Sequence, residues 1–296
     1  MSYARLRSRL VQGRPLILDC DVAASLGARG CELNGPGSLG AALFRSEEKV
    51  REHHLAELDS RVDILCALTA ETTPRALAEA GMEHRSARLT GLALDVLSEI
   101  AREATRPVAV AGVLGADQLT ATHRARFEEE TAEHAARIAI GGAELIITRA
   151  MGSRLELVYA VAAAAAQELP VWAVVDPHLC KPGMADLLSS LIDAGAEAVL
   201  FEVTSVDQGL RLLELANARR AELVPGALLS AAHEAIRGFP CELTPGWVDR
   251  VVELTDAGAR IVGGGAGTTE LHTREVAMRL GYLHPSIMPG SRPARQ

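Results

Sequence analysis

Short apolar runs alternate with longer amphipathic stretches along the whole chain, and the alternation predicts strands and helices in regular succession. Pro15 to Cys20, Val62 to Leu68, Pro107 to Leu114, Ala143 to Thr148, Pro170 to Val175 and Ala196 to Phe201 are dense in apolar residues and bounded by turn or charged residues. That is the form of a parallel strand buried on both faces. A weaker run lies within Glu222 to Ser230, and the last spans Arg260 to Gly264. Between them the pattern is helical. Ser46 to Asp59 is charged, and Leu77, Leu89, Leu92, Val96 and Ile100 share a face interrupted around Gly81. Phe127 to Ile140 opens with Glu128, Glu129 and Glu130, as the helix dipole favours, and Leu155 to Ala165 follows. Strand, helix, strand at intervals of about 25 to 45 residues denotes right-handed βαβ units. Eight such units predict an α/β chain folded as a single (β/α)8 (TIM) barrel over residues 1–287, with a flexible tail at 288–296.

In that architecture chemistry sits at the C-terminal ends of the strands, a rule that selects the candidate residues. The first strand ends in Asp19, Cys20 and Asp21, the second delivers Cys66 and then Thr69, and the fourth delivers Arg149. The fifth leads to Asp176, His178 and Cys180, and the sixth to Glu202. The eighth runs into Gly263-Gly-Gly-Ala-Gly-Thr-Thr269, with four glycines in five residues. Glycines let the main chain approach a ligand closely, and Thr268 or Thr269 can cap a helix beginning near Glu270. The same stretch also reads as a tight strand-to-helix turn that needs small residues.

Composition narrows the function classes. Hydrophobic residues make up 48% of the chain and aromatics only 3%, so the core is aliphatic. A formal charge of −8 and the lack of a basic run argue against a nucleic-acid partner. No stretch has the length and apolarity of a membrane span, and Met1 to Arg9 lacks the apolar segment of a secretory signal. Five irregularly spaced cysteines without a CxxC pair suit reduced thiols in a cytoplasmic protein. The expected partner is a small-molecule substrate, with self-association into a homo-oligomer open.

Laid out by strand ends, the chain resembles the homocysteine S-methyltransferase family: the betaine- and S-methylmethionine-dependent enzymes and the homocysteine domain of cobalamin-dependent methionine synthase. The resemblance rests on Leu16-Ile-Leu-Asp19, Asp63-Ile64 with Thr69, Thr73-Pro74-Arg-Ala-Leu77, Val110-Ala-Gly112, Gly142 to Ile147, Pro170-Val-Trp172, and Gly263-Gly264 with Gly267-Thr268-Thr269. It implies a barrel that transfers a methyl group to a thiol bound by a zinc ion with three cysteine ligands. Those ligand positions fall here at Val203, Gly265 and Ala266, which carry no metal donor, so the family zinc is not expected. An acidic residue that the family places at the end of the fourth strand is Arg149 here, and the family's Asn before Thr69 is Leu68. Asp19 alone is kept among the substrate-contacting acids.

Three readings follow. In one, the strand-end set performs new chemistry: Arg149 holds a carboxylate or phosphate, Cys20 acts as a nucleophile, or Asp176, His178 and Glu202 form an oxygen-and-nitrogen metal site. In the second, the chain is an inactive homologue that binds a metabolite or a regulatory partner. In the third, the one favoured, methyl transfer to a small thiol or other acceptor persists without the zinc. Glu202, His178 or Cys20 would then be catalytic, and Asp19, Asp21, Thr69, Arg149, Asp176, Gly264, Gly265 and Ala266 would line an altered, anionic-substrate pocket. His53 and His54 read as solvated helix surface, and Cys31 and Cys241 as loop residues away from the strand ends.

Overall fold

The computed structural model describes residues 2–115, 126–149, 151–176, 179 and 183–283. Eight strands close a parallel barrel in sequence order: β1 (Leu16–Leu18), β2 (Ile64–Cys66), β3 (Ala109–Gly115), β4 (Leu145–Arg149), β5 (Val171–Val175), β6 (Ala198–Val203), β7 (Val224–Leu229) and β8 (Ile261–Gly264). Closure is made by β8 on β1, with Leu16 opposite Ile261 and Leu18 opposite Gly263. All eight predicted runs are strands, the weak seventh included. The tail proposed at 288–296 lies outside the described residues.

Alternation along the strands divides the apolar side chains into two cores. Leu16, Leu18, Ile64, Ala109, Ala111, Leu145, Ile147, Trp172, Val174, Leu200 and Ile261 fill the barrel interior. Ile17, Leu65, Val110, Ile146, Val171 and Val199 face the surrounding helices. The N-terminal segment, which carries no predicted element, is α1 (Ser2–Val11); it buries Tyr3 and Leu6 against the interior core. Its Tyr3 hydroxyl accepts from Trp172 Nε1 at 3.1 Å, so the indole at the barrel floor is satisfied.

Three helices follow β1, α2 (Val22–Ala28), α3 (Ser38–Arg45) and α4 (Glu47–Asp59), and α5 (Pro74–Ala78) follows β2. A 3-10 turn, Glu83–Arg85, separates α5 from α6 (Ser86–Glu103), because Gly81 adopts φ +67° and breaks the helical run at the interruption read from the sequence. Then come α7 (Phe127–Ile140), α8 (Arg154–Ala165), α9 (Met184–Asp193), α10 (Val206–Asn217), α11 (Trp247–Asp256) and α12 (Glu270–Arg279). Thr269 opens α12 in a reciprocal cap with His272. Among the described residues, no helix is long and apolar enough to cross a membrane.

Candidate functional site

Charged groups from the first, fourth, fifth and sixth strands converge at the C-terminal end of the barrel. Arg149 is the last residue of β4, and its side chain is only 13% exposed. Its Nη2 lies 3.7 Å from Glu202 Oε1, yet both Nε and Nη2 are buried without a hydrogen-bond acceptor. Burial opposes the guanidinium charge, but the facing Glu202, Asp21 and Asp176 outweigh it and raise its pKa. Arg149 is therefore a fixed cation with unused donors.

Glu202 lies inside β6 and is nearly inaccessible. Arg237, from the loop after β7, donates through Nη2 to both Glu202 oxygens. Burial pushes the carboxyl upward, but the two arginines and the hydrogen bond with Asp176 prevail and hold it down at about 2. Asp176, just beyond β5, moves the other way. Burial and the adjoining Glu202 raise it to about 6. The two carboxyls thus form a pair in which Glu202 stays charged and Asp176 carries the exchangeable proton, the division expected when like charges share a pocket.

Asp19 is buried at the end of β1, where it accepts the Cys66 N–H at 2.6 Å. Burial raises it to about 6 against the opposing pull of that hydrogen bond and of Arg149. The neighbouring Asp21 has a different task. Its carboxylate accepts from Ala24 N at 3.4 Å, Gly238 N at 2.8 Å and Gly267 N at 3.1 Å. Its own N–H donates to Thr268 Oγ1 at 3.1 Å. Asp21 thereby caps α2 and ties together the loop after β7 and the glycine-rich turn, so its oxygens are engaged by the protein's own amides. Thr69 is occupied likewise: its hydroxyl donates to Val113 O at 2.8 Å and accepts from Val113 N at 2.7 Å.

The glycine-rich turn packs backbone to backbone. Gly264 ends β8, and Gly265 N donates to Leu229 O at 2.9 Å. A Cβ on Gly265 would stand 2.8 Å from Ser230 N, so a side chain there requires the main chain to move. Gly267 has φ +76°, a conformation natural to glycine, which turns its N–H toward Asp21. Ala266 is buried, and its carbonyl accepts from Ala231 N at 2.9 Å. Val203, the last residue of β6, is fully buried in the core that faces the helices. The positions to which the resemblance assigns zinc thiolates thus offer one apolar side chain, one methyl group and a backbone that excludes a Cβ.

Four sequence-based expectations change. Cys20 does not join the mouth as a nucleophile: it is buried, and burial together with Glu57 and Asp19 drives its thiol pKa well above the ordinary value. His53 and His54 are not surface residues but have no exposure at all, and burial lowers His53 to about 3. Cys241 lies against the glycine-rich turn, where its N–H donates to Gly267 O at 2.8 Å and a Cβ on Gly267 would come 2.8 Å from its Sγ. Asp21 and Thr69 bond within the protein, as described. His178 and Cys180 lie outside the described residues. Arg237 gave no signal in sequence, since it sits in an irregular loop. Glu57 did, because Val50, His53, His54, Glu57 and Leu58 are the buried residues of α4 at the spacing of one helical face.

The molecule is a (β/α)8 barrel with its charged groups gathered where the strands end. More narrowly, the chain belongs to the homocysteine S-methyltransferase family, whose profile matches residues 16–280. No curated protein sequence matches it significantly. Among solved structures it is similar to the metallated form of the homocysteine methyltransferase MmuM from Escherichia coli, at 19% identity and a TM-score of 0.73 over 93% of this chain and 99% of that one. The oxidized form of the same enzyme gives 21% identity and a TM-score of 0.73 with the same coverage. A type I 3-dehydroquinate dehydratase from Clostridium difficile is similar at 12% identity and a TM-score of 0.52, over 91% of this chain and 94% of that one. At these identities the likeness establishes the barrel.

Proposed function

We propose that this barrel transfers a methyl group to a small acceptor bearing an anionic group, and that the acceptor is activated by a carboxylate pair in place of the zinc ion implied by the family. The observation that carries the reading is Arg149: a buried guanidinium at a strand end whose Nε and Nη2 have no acceptor. A planar fork of this kind suits a carboxylate or phosphate oxygen pair. Asp19, at the same end of the barrel, suits an ammonium group, so a zwitterionic amino-acid thiol satisfies both signs.

The proton chemistry assigns the base role to Asp176. Glu202, held at about 2, is too weak a base, whereas Asp176 at about 6 is ionised at neutral pH and still basic enough to take a proton. The acceptor S–H proton passes to the Asp176 carboxylate as the sulfur lone pair attacks the donor methyl. The methyl–sulfur bond of a sulfonium donor breaks, and its electron pair stays on the departing thioether. Removing a proton from a thiol of pKa about 8.5 with a base near 6 costs roughly 3 kcal/mol, which the positive field of Arg149 reduces.

The test is a thiol-methylation assay with S-methylmethionine as donor and homocysteine and more acidic thiols as acceptors. Turnover should vanish in Arg149→Glu and fall at least about 100-fold in Asp176→Asn, with circular dichroism unchanged. Homocysteine turnover that survives both substitutions refutes the proposal. Tight binding of an anionic thiol without turnover favours instead the inactive, metabolite-binding homologue.

A further inference from the structure

Behind the mouth, on the helix side of β1, a second group of ionisable side chains takes no part in the site above. Successive residues point to opposite sides here: Asp19 faces the barrel end and Cys20 faces the helices. A ring nitrogen of His53, the Sγ of Cys20 and a carboxylate oxygen of Glu270 all lie within 4.8 Å of one another. Cys20 and His53 are buried, and the Glu270 side chain is 22% exposed, which leaves a way in from solvent.

We propose that Cys20, His53 and Glu270 form a binding site for a divalent transition metal of zinc type, which fastens the first barrel unit to the last. A thiolate, an imidazole and a carboxylate are a donor set that zinc and cobalt accept. Two further observations point to a ligand. His53 Nε2 is buried with no hydrogen-bond partner, and so is Oε2 of Glu57, whose Oε1 accepts from Cys20 N at 3.3 Å. Such orphaned polar atoms are costly unless something binds them.

The surrounding hydrogen bonds also orient the ligands. Ser25 Oγ donates to Glu270 Oε2 at 2.8 Å and lies 2.9 Å from His53 Nδ1. With its single proton committed to the carboxylate, Ser25 can only accept from the imidazole. That places the ring proton on Nδ1 and leaves the lone pair on Nε2.

Arg29 is the one opposing charge, since its Nη2 donates to Glu270 Oε1 at 2.7 Å. Its Nη1 also donates to Glu270 Oε2 at 3.3 Å, the oxygen that Ser25 engages, so the lone pair left for a metal is on Oε1. Binding forms a metal–sulfur bond and releases the Cys20 thiol proton to solvent. The thiolate and the Glu270 carboxylate then balance the two charges of the ion. Residues 20 and 53 precede β2 whereas 270 follows β8, so the metal bridges the β1–β8 closure from outside.

The experiment uses the full chain stripped with a chelator and titrated with cobalt(II) alone, then with zinc(II). One equivalent of cobalt should give a thiolate-to-metal charge-transfer band that zinc abolishes. Cys20→Ser should lose the band and Cys31→Ser should keep it. If Cys20→Ser does not fold, His53→Gln decides, with an expected drop in cobalt affinity on the order of 100-fold. A band that persists at wild-type strength in Cys20→Ser or His53→Gln overturns the assignment, and so does the absence of any band in the parent chain. Methyl-transfer activity plays no part in the readout, so the result is separate from the fate of the reading of the mouth.

Discussion

Replacing Arg149 with Met tests the mouth without knowledge of its ligand. Arg149 Nη2 and Glu202 Oε1 are 3.7 Å apart, and both side chains are more than four-fifths buried. At an effective dielectric of about 20, charges at that distance attract by about 4 kcal/mol, equivalent to about 3 pKa units on the carboxyl pair. In the native protein Glu202 sits at about 2, below its ordinary 4.5, so it contributes stability above that value and loses it as pH falls toward 2. Asp176 sits at about 6, above its ordinary 3.8, so its contribution is complete at low pH and is lost as pH rises from 3.8 through 6. Without Arg149 the pair holds its protons to higher pH, and ionising it in the folded state becomes more costly.

The difference in unfolding free energy between parent and Arg149→Met should therefore grow with pH. We expect it to be smallest near about pH 2, where Glu202 takes up its proton and the variant no longer buries a guanidinium. Near about pH 8 it should reach about 2 to 3 kcal/mol, the Coulomb gain less the desolvation relieved. Urea unfolding across that range provides the measurement, and Arg149→Lys, which keeps the charge, should follow the parent. A difference that stays constant with pH refutes the argument, because it would mean that Arg149 acts by packing alone.

The remaining predictions concern neighbouring groups. Asp176→Asn should remove the acid limb near pH 6 from the pH profile of methyl transfer, while the parent loses activity as pH falls through that value and the base becomes protonated. Asp21→Ala frees the N–H groups of Ala24, Gly238 and Gly267 and should cost about 3 kcal/mol in denaturant unfolding, with faster hydrogen exchange at Gly267. Gly265→Ala brings a methyl group to 2.8 Å from Ser230 N and should lower stability by about 2 kcal/mol; an unchanged melting midpoint would show that the turn relaxes freely.

The barrel was legible because its signals are local. Buried parallel strands such as Val171–Val175 are continuous apolar runs, and even the weak seventh contains one. Strand ends then located Asp19, Arg149, Asp176 and Glu202, because the fold's rule needs only the end of each run. Partners from irregular loops were not legible: Arg237 is 35 residues from Glu202, with no periodicity to connect them. The misreading of His53 and His54 has another cause. Their spacing with Val50, Glu57 and Leu58 marks a buried face, but the polarity of three of those five residues masked the pattern. Position along the helix was informative where residue type misled.

That face also explains why the first barrel unit can carry two kinds of chemistry side by side. Asp19 and Cys20 are consecutive, so the chain sends one side chain to the mouth and the next to the helices, and the barrel wall separates them. The mouth gathers two guanidinium groups and three acids, Asp19, Asp176 and Glu202, arranged so that one carboxyl can exchange a proton near neutrality. The outer cluster keeps a neutral imidazole and a protonated thiol beside Glu57, which burial raises to about 8. Charge at the mouth is stabilised by opposite charge, whereas at the outer cluster it is suppressed by desolvation. A divalent cation reverses that suppression by drawing the proton from Cys20, whereas an anion at Arg149 leaves it in place. Titrating the parent chain with cobalt and with an anionic thiol in turn should accordingly release a proton in the first case and none from Cys20 in the second.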